Sequence, residues 1–407
     1  MGHKGAGVTL RGGVLRTVCS PACPPMARPG GRKGLPRRAG KGLLPGAGSA
    51  GPFPQPCGAM PERGHEAAEG ARQAARAGYP PVMTAPGADL GGITHRDLDV
   101  RGLRMHVAEA GSGPLVLLLH GFPESWYSWR HQLAALAAAG FHAVAPDQRG
   151  YCRTEQPPAA DAYTILHLAG DVIGLIDALG ERHAVVAGHD WGAPVAWHAA
   201  LLRPDRVRAV IGLSVPHRPR GSTAPVAAMR SRIGDAFYMV YFQQPGIADA
   251  ELARDIPATF RKLLFSASGD GPRGLPLVPP GGGFLDICVD PPELPGWLTG
   301  DDVAVFAADY AAAGFTGGLN WYRNLDRNWE LTAAWQGAPI TVPALYVAGD
   351  RDLVVNVPGT RELLAGMGEY IPQLRGTVLL PGCGHWTQQE RPAEVSQAMI
   401  GFLRGLG

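Results

Sequence analysis

No run of about 18 apolar residues occurs in the 407-residue chain, so the sequence offers no helix able to span a membrane. No uninterrupted apolar core of about 7–15 residues precedes Pro80 either, and a secretory signal needs one. Cysteine is scarce. Cys19, Cys23 and Cys57 lie near the start, and Cys152, Cys288 and Cys383 are far apart, so no CxxC pair or Cys/His cluster has zinc spacing. A large domain needs no disulfide staples, and a reducing cytoplasm is the expected compartment. Acidic residues are nearly missing from the first 80 positions, which hold 3 Asp/Glu against 12 Lys/Arg, with 28 Gly or Pro. So little apolar surface cannot offset the entropy of ordering, and residues 1–86 read as a low-complexity basic tail, disordered. Upstream sequence ahead of a start at Met60 or Met83 is the other reading. The tail lacks the interleaved aromatics or amphipathic helix that a nucleic acid or membrane would engage. Of 37 basic and 35 acidic side chains, 25 and 32 remain beyond residue 80, so the excess positive charge belongs to the tail. No nucleic-acid partner is implied.

From about residue 93 the chain alternates short apolar runs with helix-length amphipathic ones. Leu115–Leu119 is continuously apolar, as in a strand buried on both faces. Residues 142–146, 183–187, 208–213, 341–348 and 377–380 read as further strands. Helices are expected over 128–139, 165–179, 191–202, 360–367 and 394–403, with Gly140 and Gly180 as stops. This alternation predicts an α/β fold with a mostly parallel, doubly wound sheet. The rhythm breaks at Pro216, and the next stretch reads as helices around the Pro/Gly-rich segment 269–283. The expected organisation is one core in two parts, 87–215 and 338–407, with a helical cap inserted over 216–337 at the carboxyl ends of the strands, where such sheets bind ligands.

The most specific motif is Gly188-His189-Asp190-Trp191-Gly192, between a predicted strand and a predicted helix. Small residues at both ends allow a sharp turn that pushes the central side chain into the cleft. Taken alone, it could be a Gly-flanked turn with an acidic N-cap. A carboxylate there suits displacement at a saturated carbon, with an alkyl ester as intermediate. His385 follows the last predicted strand, and Asp352 the one before it, giving the chain order nucleophile, acid, base. Asp350 is a second candidate for the acid. After the 208–213 strand stands Ser214-Val215-Pro216, with no acid. His120-Gly121-Phe122-Pro123 ends the first apolar strand, and backbone N–H groups of Phe122 and Trp191 are the expected oxyanion donors.

These motifs resemble those of the soluble-type epoxide hydrolases of the α/β-hydrolase superfamily. The resemblance covers residues from about 93 to 405 and includes the GCGHWTQ stretch around His385. It extends to Phe237–Gln243 and Asn320–Asn324 in the insertion. It implies that Tyr238 and Tyr322 hydrogen-bond the epoxide oxygen, while Tyr241 fills a structural position in the same motif. Family members usually carry Gly where Cys152 stands, which puts local loop geometry in question rather than chemistry. The implied reaction joins a small epoxide and water into a vicinal diol through an aspartyl ester, with no metal or organic cofactor, in a monomer or homodimer. Two other readings stand beside it. A hydrolytic dehalogenase shares the fold and the Asp nucleophile, but a halide wants donors such as Trp or Asn, whereas an alkoxide wants acids such as tyrosines. A non-catalytic small-molecule receptor would be expected to lack a triad member, and none is missing.

Overall fold

A computed structural model of the chain describes residues 92–407. The readings for residues 1–86, and for a start at Met60 or Met83, lie outside the described residues. The sheet has eight strands: β1 (Thr94–Val100), β2 (Leu103–Ala110), β3 (Leu115–Leu119), β4 (His142–Pro146), β5 (Ala184–His189), β6 (Val207–Leu213), β7 (Ala344–Gly349) and β8 (Leu374–Leu380). Their spatial order is β1-β2-β4-β3-β5-β6-β7-β8. β1 and β2 form an antiparallel hairpin, and β2 pairs antiparallel with β4. All remaining pairs are parallel.

The strands β3, β5 and β7 are buried at every residue, because helices cover both faces of the sheet. The apolar runs at 115–119 and 183–187 have this cause. β8 is the outermost strand and alternates half-buried with exposed positions up to the buried Leu380, so only Thr377–Leu380 of its seven residues stand out in sequence. The hairpin β1–β2 occupies the opposite edge. The outward side chains of β1 are polar, which hides it from a search for apolar runs.

The helices between strands are α1 (Arg130–Ala138), α2 (Ile165–Ala178) and α3 (Gly192–Leu202). The first expected helix is preceded by a 3-10 turn over Trp126–Trp129, whose Ser125 side chain accepts from the Tyr127 amide. Between β6 and β7 come α4 (Pro225–Arg232), α5 (Tyr238–Tyr241), α6 (Ile247–Leu252), α7 (Ile256–Ser266), α8 (Gly300–Ala313), α9 (Thr316–Arg323) and α10 (Leu325–Leu331). The only strand-like pairing among the described residues of this stretch is a single bridge between Phe237 and Leu277. The helix α8 is fixed at its start by Thr299, which accepts from the Asp302 amide while Asp302 accepts from the Thr299 amide. Asp302 also receives Arg130 at 3.0 Å and the Tyr127 hydroxyl at 3.0 Å, so this helix is tied to the segment that follows β3. The chain ends with α11 (Thr360–Ala365), α12 (Thr387–Glu390) and α13 (Pro392–Arg404).

Candidate active site

Three neighbouring strands, β3, β5 and β6, end side by side, with Leu119 paired to Gly188 and His189 to Leu213. Asp190 is the first residue beyond β5 and has φ of +48°, in the left-handed region. That conformation is costly for a residue with a Cβ, and here it turns the strand into α3 within two residues. The turn is possible because Gly188 and Gly192 sit face to face. A Cβ on Gly188 would strike the Gly192 carbonyl, and one on Gly192 would strike the Leu119 carbonyl. Gly121 is just as constrained, since a Cβ there would run into the Asp190 side chain.

Asp190 is 9% exposed, and its Oδ1 accepts from the Phe122 amide at 2.8 Å. Burial alone would raise its pKa. Hydrogen bonding and charge from His385, the nearby His189 and the Phe122 amide outweigh burial and hold the carboxyl below its usual range. Asp190 is therefore an anion, the nucleophilic form. Of the two expected oxyanion donors, Phe122 bonds this carboxylate, whereas the Trp191 amide makes no bond to it among the described residues.

His385 closes the arrangement from β8. Its Nε2 lies 3.4 Å from Asp190 Oδ2, and its Nδ1 lies 3.0 Å from Asp352 Oδ1. Asp352 is fully buried and receives the Val354 amide on the same oxygen at 2.9 Å. Burial disfavours an imidazolium, but Asp352 and Asp190 together overcome it and raise the His385 pKa well above the ordinary value. Asp350, the second candidate for the acid, turns instead to the Gly382 amide, which it accepts at 2.8 Å, and so braces the loop that carries His385.

The tyrosines Tyr238, at the start of α5, and Tyr322, on α9, are both buried, with ring centroids 6.2 Å apart. Tyr322 stands edge-on to Trp191 at 5.1 Å and to Phe122 at 5.5 Å, against the two residues that flank the Asp190 carboxylate. Burial, then the charge of Asp190, push both phenols above their ordinary pKa, so both keep their protons. Tyr241, one turn from Tyr238, gives its hydroxyl to Glu251 at 2.8 Å. Glu251 also accepts the amides of Phe284 and Leu285, so Tyr241 belongs to the packing of the insertion.

Comparison with known proteins agrees with this geometry. Residues 114–258 match the family model of the alpha/beta hydrolase fold. Epoxide hydrolase A of Mycobacterium tuberculosis is 47% identical over 323 residues, covering 78% of this chain and 99% of that protein. An epoxide hydrolase structure from an endophytic Streptomyces aligns with a TM-score of 0.74 and 47% identity, over 77% of this chain and 96% of that one. Epoxide hydrolase VrEH1 from Vigna radiata aligns with a TM-score of 0.72 and 42% identity, over 78% and 99%. The chain belongs to the epoxide hydrolase family.

Further side chains of this epoxide hydrolase that sequence reasoning did not assign stand directly behind the site. Glu124 is fully buried and meets His189 Nδ1 at 2.9 Å, while His189 Nε2 reaches the His385 carbonyl at 2.7 Å. Gln389 adds a donor to Glu124 at 2.8 Å, and Gln388 another at 3.2 Å. The loops after β3, β5 and β8 are thus joined by one buried network. Ser214, with φ of +67°, places its Oγ 2.9 Å from His385 Nδ1, beside the Asp352 bond. It occupies the place after β6 where an alternative acid would stand. The His385 loop is held by Glu390, which accepts the amides of Gly384, Trp386 and Gly269 at 2.8, 3.0 and 2.9 Å. Cys152 is buried with φ of +46°, a conformation that explains why glycine suits this position.

Proposed function

We propose that the chain hydrolyses epoxides to vicinal diols with Asp190 as nucleophile, His385 as base, Asp352 as its partner, and Tyr238 and Tyr322 as acids. The carrying observation is the Asp190 carboxylate 3.4 Å from the His385–Asp352 pair, with the buried Tyr322 ring against Trp191 and Phe122 and the buried Tyr238 ring 6.2 Å from it. In the first step an Asp190 oxygen attacks a ring carbon and the ring C–O bond breaks. The electron pair goes to the departing oxygen, which takes a proton from a tyrosine. Forming the ester removes the charge on Asp190, one of the two anions that hold the proton on His385. That proton is then free to restore the tyrosine, leaving a neutral imidazole. In the second step His385 removes a proton from water, and the water oxygen attacks the ester carbonyl. The Phe122 amide, already on Asp190 Oδ1, stabilises the oxyanion, and the Trp191 amide is the second donor once that oxygen shifts. Collapse breaks the bond between the ester carbonyl carbon and the alkyl oxygen, the departing alkoxide takes the proton left on the hydroxyl that water added, and Asp190 returns as an anion beside a protonated His385, so protons balance over the cycle.

Residues 216–337 act as the cap that brings the tyrosines to the nucleophile. No helix among the described residues is long and apolar enough to cross a membrane. Cys152, Cys288 and Cys383 are unpaired, which favours the cytoplasm. Parallel assays of diol formation from a small panel of epoxides and of halide release from alkyl halides test this reading. Diol formation is expected to dominate. Faster halide release would assign the chain to dehalogenation instead.

A further inference from the structure

The two proposed acids stand on helices with unequal support. The helix α9, which carries Tyr322, is fastened to the core at three points. Trp321 Nε1 donates to the Arg149 carbonyl at 3.2 Å, Asn324 Nδ2 donates to the Ala160 carbonyl at 2.6 Å, and a Cβ on Gly317 would strike the Gly150 carbonyl. The single turn α5, which carries Tyr238, has its packing inside the insertion. The rings against Tyr238 are Phe237 at 4.9 Å, Phe242 at 5.5 Å, Phe284 at 5.6 Å and Tyr322 at 6.2 Å, and its amide donates to the Pro276 carbonyl. A helix of one turn supplies little rigidity of its own. Where Tyr238 stands relative to Asp190 therefore depends on how α5 is held to α9.

Gln243, two residues beyond α5, makes that connection. Its Nε2 donates to the Met239 carbonyl of α5 at 2.8 Å and to the Tyr322 carbonyl of α9 at 3.0 Å. The last carbonyls of a helix lack the amide donor four residues on, and Met239 and Tyr322 both lie in such a final turn. A primary amide has two N–H groups, so one side chain serves both, and two carbonyl oxygens fix which end of the amide faces them. Asparagine is shorter by one methylene, and glutamate has the right length but no N–H. Asp249 of α6 accepts from Thr316 and Arg323, at the two ends of α9, and fixes α6 there. Gln243 instead bridges the backbones of the two tyrosine-bearing helices.

We infer that Gln243 is a positioning residue for ring opening: it sets α5 against α9 so that the Tyr238 and Tyr322 hydroxyls converge on one epoxide oxygen. The inference rests on the acid roles proposed above for the two tyrosines. Because α9 is fastened to the core, loss of the bridge displaces Tyr238 and leaves Tyr322 in place. Ester hydrolysis uses His385, Asp352 and the Phe122 amide, all on core loops, and is insensitive to a shift of α5.

Rapid-quench kinetics of the full chain with styrene oxide, or the panel epoxide that the parent turns over fastest, tests this. Gln243→Met keeps the length of the side chain without the donor. It should slow ring opening by ~5–50-fold, and by no more than Tyr238→Phe does, because a displaced phenol cannot cost more than a missing one. Ester hydrolysis should stay within ~2-fold of the parent. Combination with the tyrosine variants separates positioning from general damage. With Tyr238→Phe already present, Gln243→Met should slow ring opening by less than ~2-fold, whereas with Tyr322→Phe present it should cost at least ~5-fold. Gln243→Glu, of nearly the same shape, should repeat the pattern, and it serves if the Met variant melts below the assay temperature. Ring opening at the parent rate in both Gln243 variants, or equal slowing in the two tyrosine backgrounds, would overturn the inference while leaving the acid roles intact. Parent-rate ring opening in Tyr238→Phe alone would instead remove the acid role on which the inference rests.

Discussion

At the scale of single residues, the proposed mechanism gives carboxylate, imidazole and phenol separate tasks, and each group can be removed on its own. Tyr238→Phe or Tyr322→Phe should slow ring opening by ~10–100-fold, since a hydrogen bond to a developing anion is worth about 1.5–3 kcal/mol and one phenol remains. The double variant should lose far more, while hydrolysis of a preformed ester is little changed. Rapid-quench measurement of the two steps separates these outcomes, and ring opening at the parent rate in the double variant would contradict the tyrosine roles. The pH dependences differ as well. Asp190 is held below the usual carboxylate range, so ring opening should stay constant down to and below the ordinary value of 3.8, as long as the fold survives. In the ester Asp352 alone supports the imidazolium, so hydrolysis should rise with pH as His385 loses its proton, in single-turnover experiments across neutral pH. A flat hydrolysis profile would show that no titrating base takes part.

At the scale of elements, the glycines at the strand ends determine whether the residues can meet. Gly121→Ala would push a methyl group into Asp190, so turnover should fall by ~100-fold or more from misplacement of the nucleophile, with only a modest drop in melting temperature. Full activity in this variant would mean that the loop after β3 can retreat. Much of this level was legible in sequence. The inner parallel strands β3, β5 and β7 announce themselves because burial on both faces makes them continuously apolar, and the glycine-flanked Asp190 marks the end of one of them. The edge strand β1 did not stand out because its exposed side chains are polar, and the inner strand β2 did not because Arg104, His106 and Glu109 interrupt its apolar run. Glu124, His189 and Ser214 were unassigned for a different reason. Their roles arise from loops after β3, β5, β6 and β8 arriving together, and that depends on strand order rather than on local pattern. Asp352 and Asp350, the second candidate for the acid, are two residues apart in sequence, and side-chain direction separates the partner of His385 from the brace on Gly382.

At the scale of the whole molecule, the half-buried His95 and the buried His217, both outside the site, set a limit on acid tolerance. His95 stacks on His106, with Nδ1 3.1 Å from its Nε2, and His106 in turn meets Asp147 at 2.8 Å. Burial, then the charges of His106 and Arg153, lower the His95 pKa from 6.5 to about 4, and His217 is lowered to about 4 as well. A folded-state pKa below the unfolded one means that the unfolded chain binds more protons between the two values. The contribution to stability is therefore complete above about 6.5 and is lost as the pH falls toward about 4. Denaturant midpoints measured over that interval should decline, and His95→Phe should make the decline shallower. An unchanged slope would exclude His95 as a source. All the site residues lie between Phe122 and His385, so a chain starting at Met83 should retain the turnover of the full chain. A loss of turnover on that truncation would show that the preceding residues contribute to the site.

The covalent ester on Asp190 is the central claim, and intact-protein and peptide mass spectrometry of His385→Gln after exposure to an epoxide tests it most directly. Without the base, ring opening still proceeds but the ester cannot be hydrolysed, so the protein should gain the mass of one epoxide, located on the peptide that contains Asp190. Asp190→Ala should gain nothing and form no diol. Diol production by His385→Gln without any adduct, or an adduct on a different residue, would contradict the two-step mechanism through Asp190.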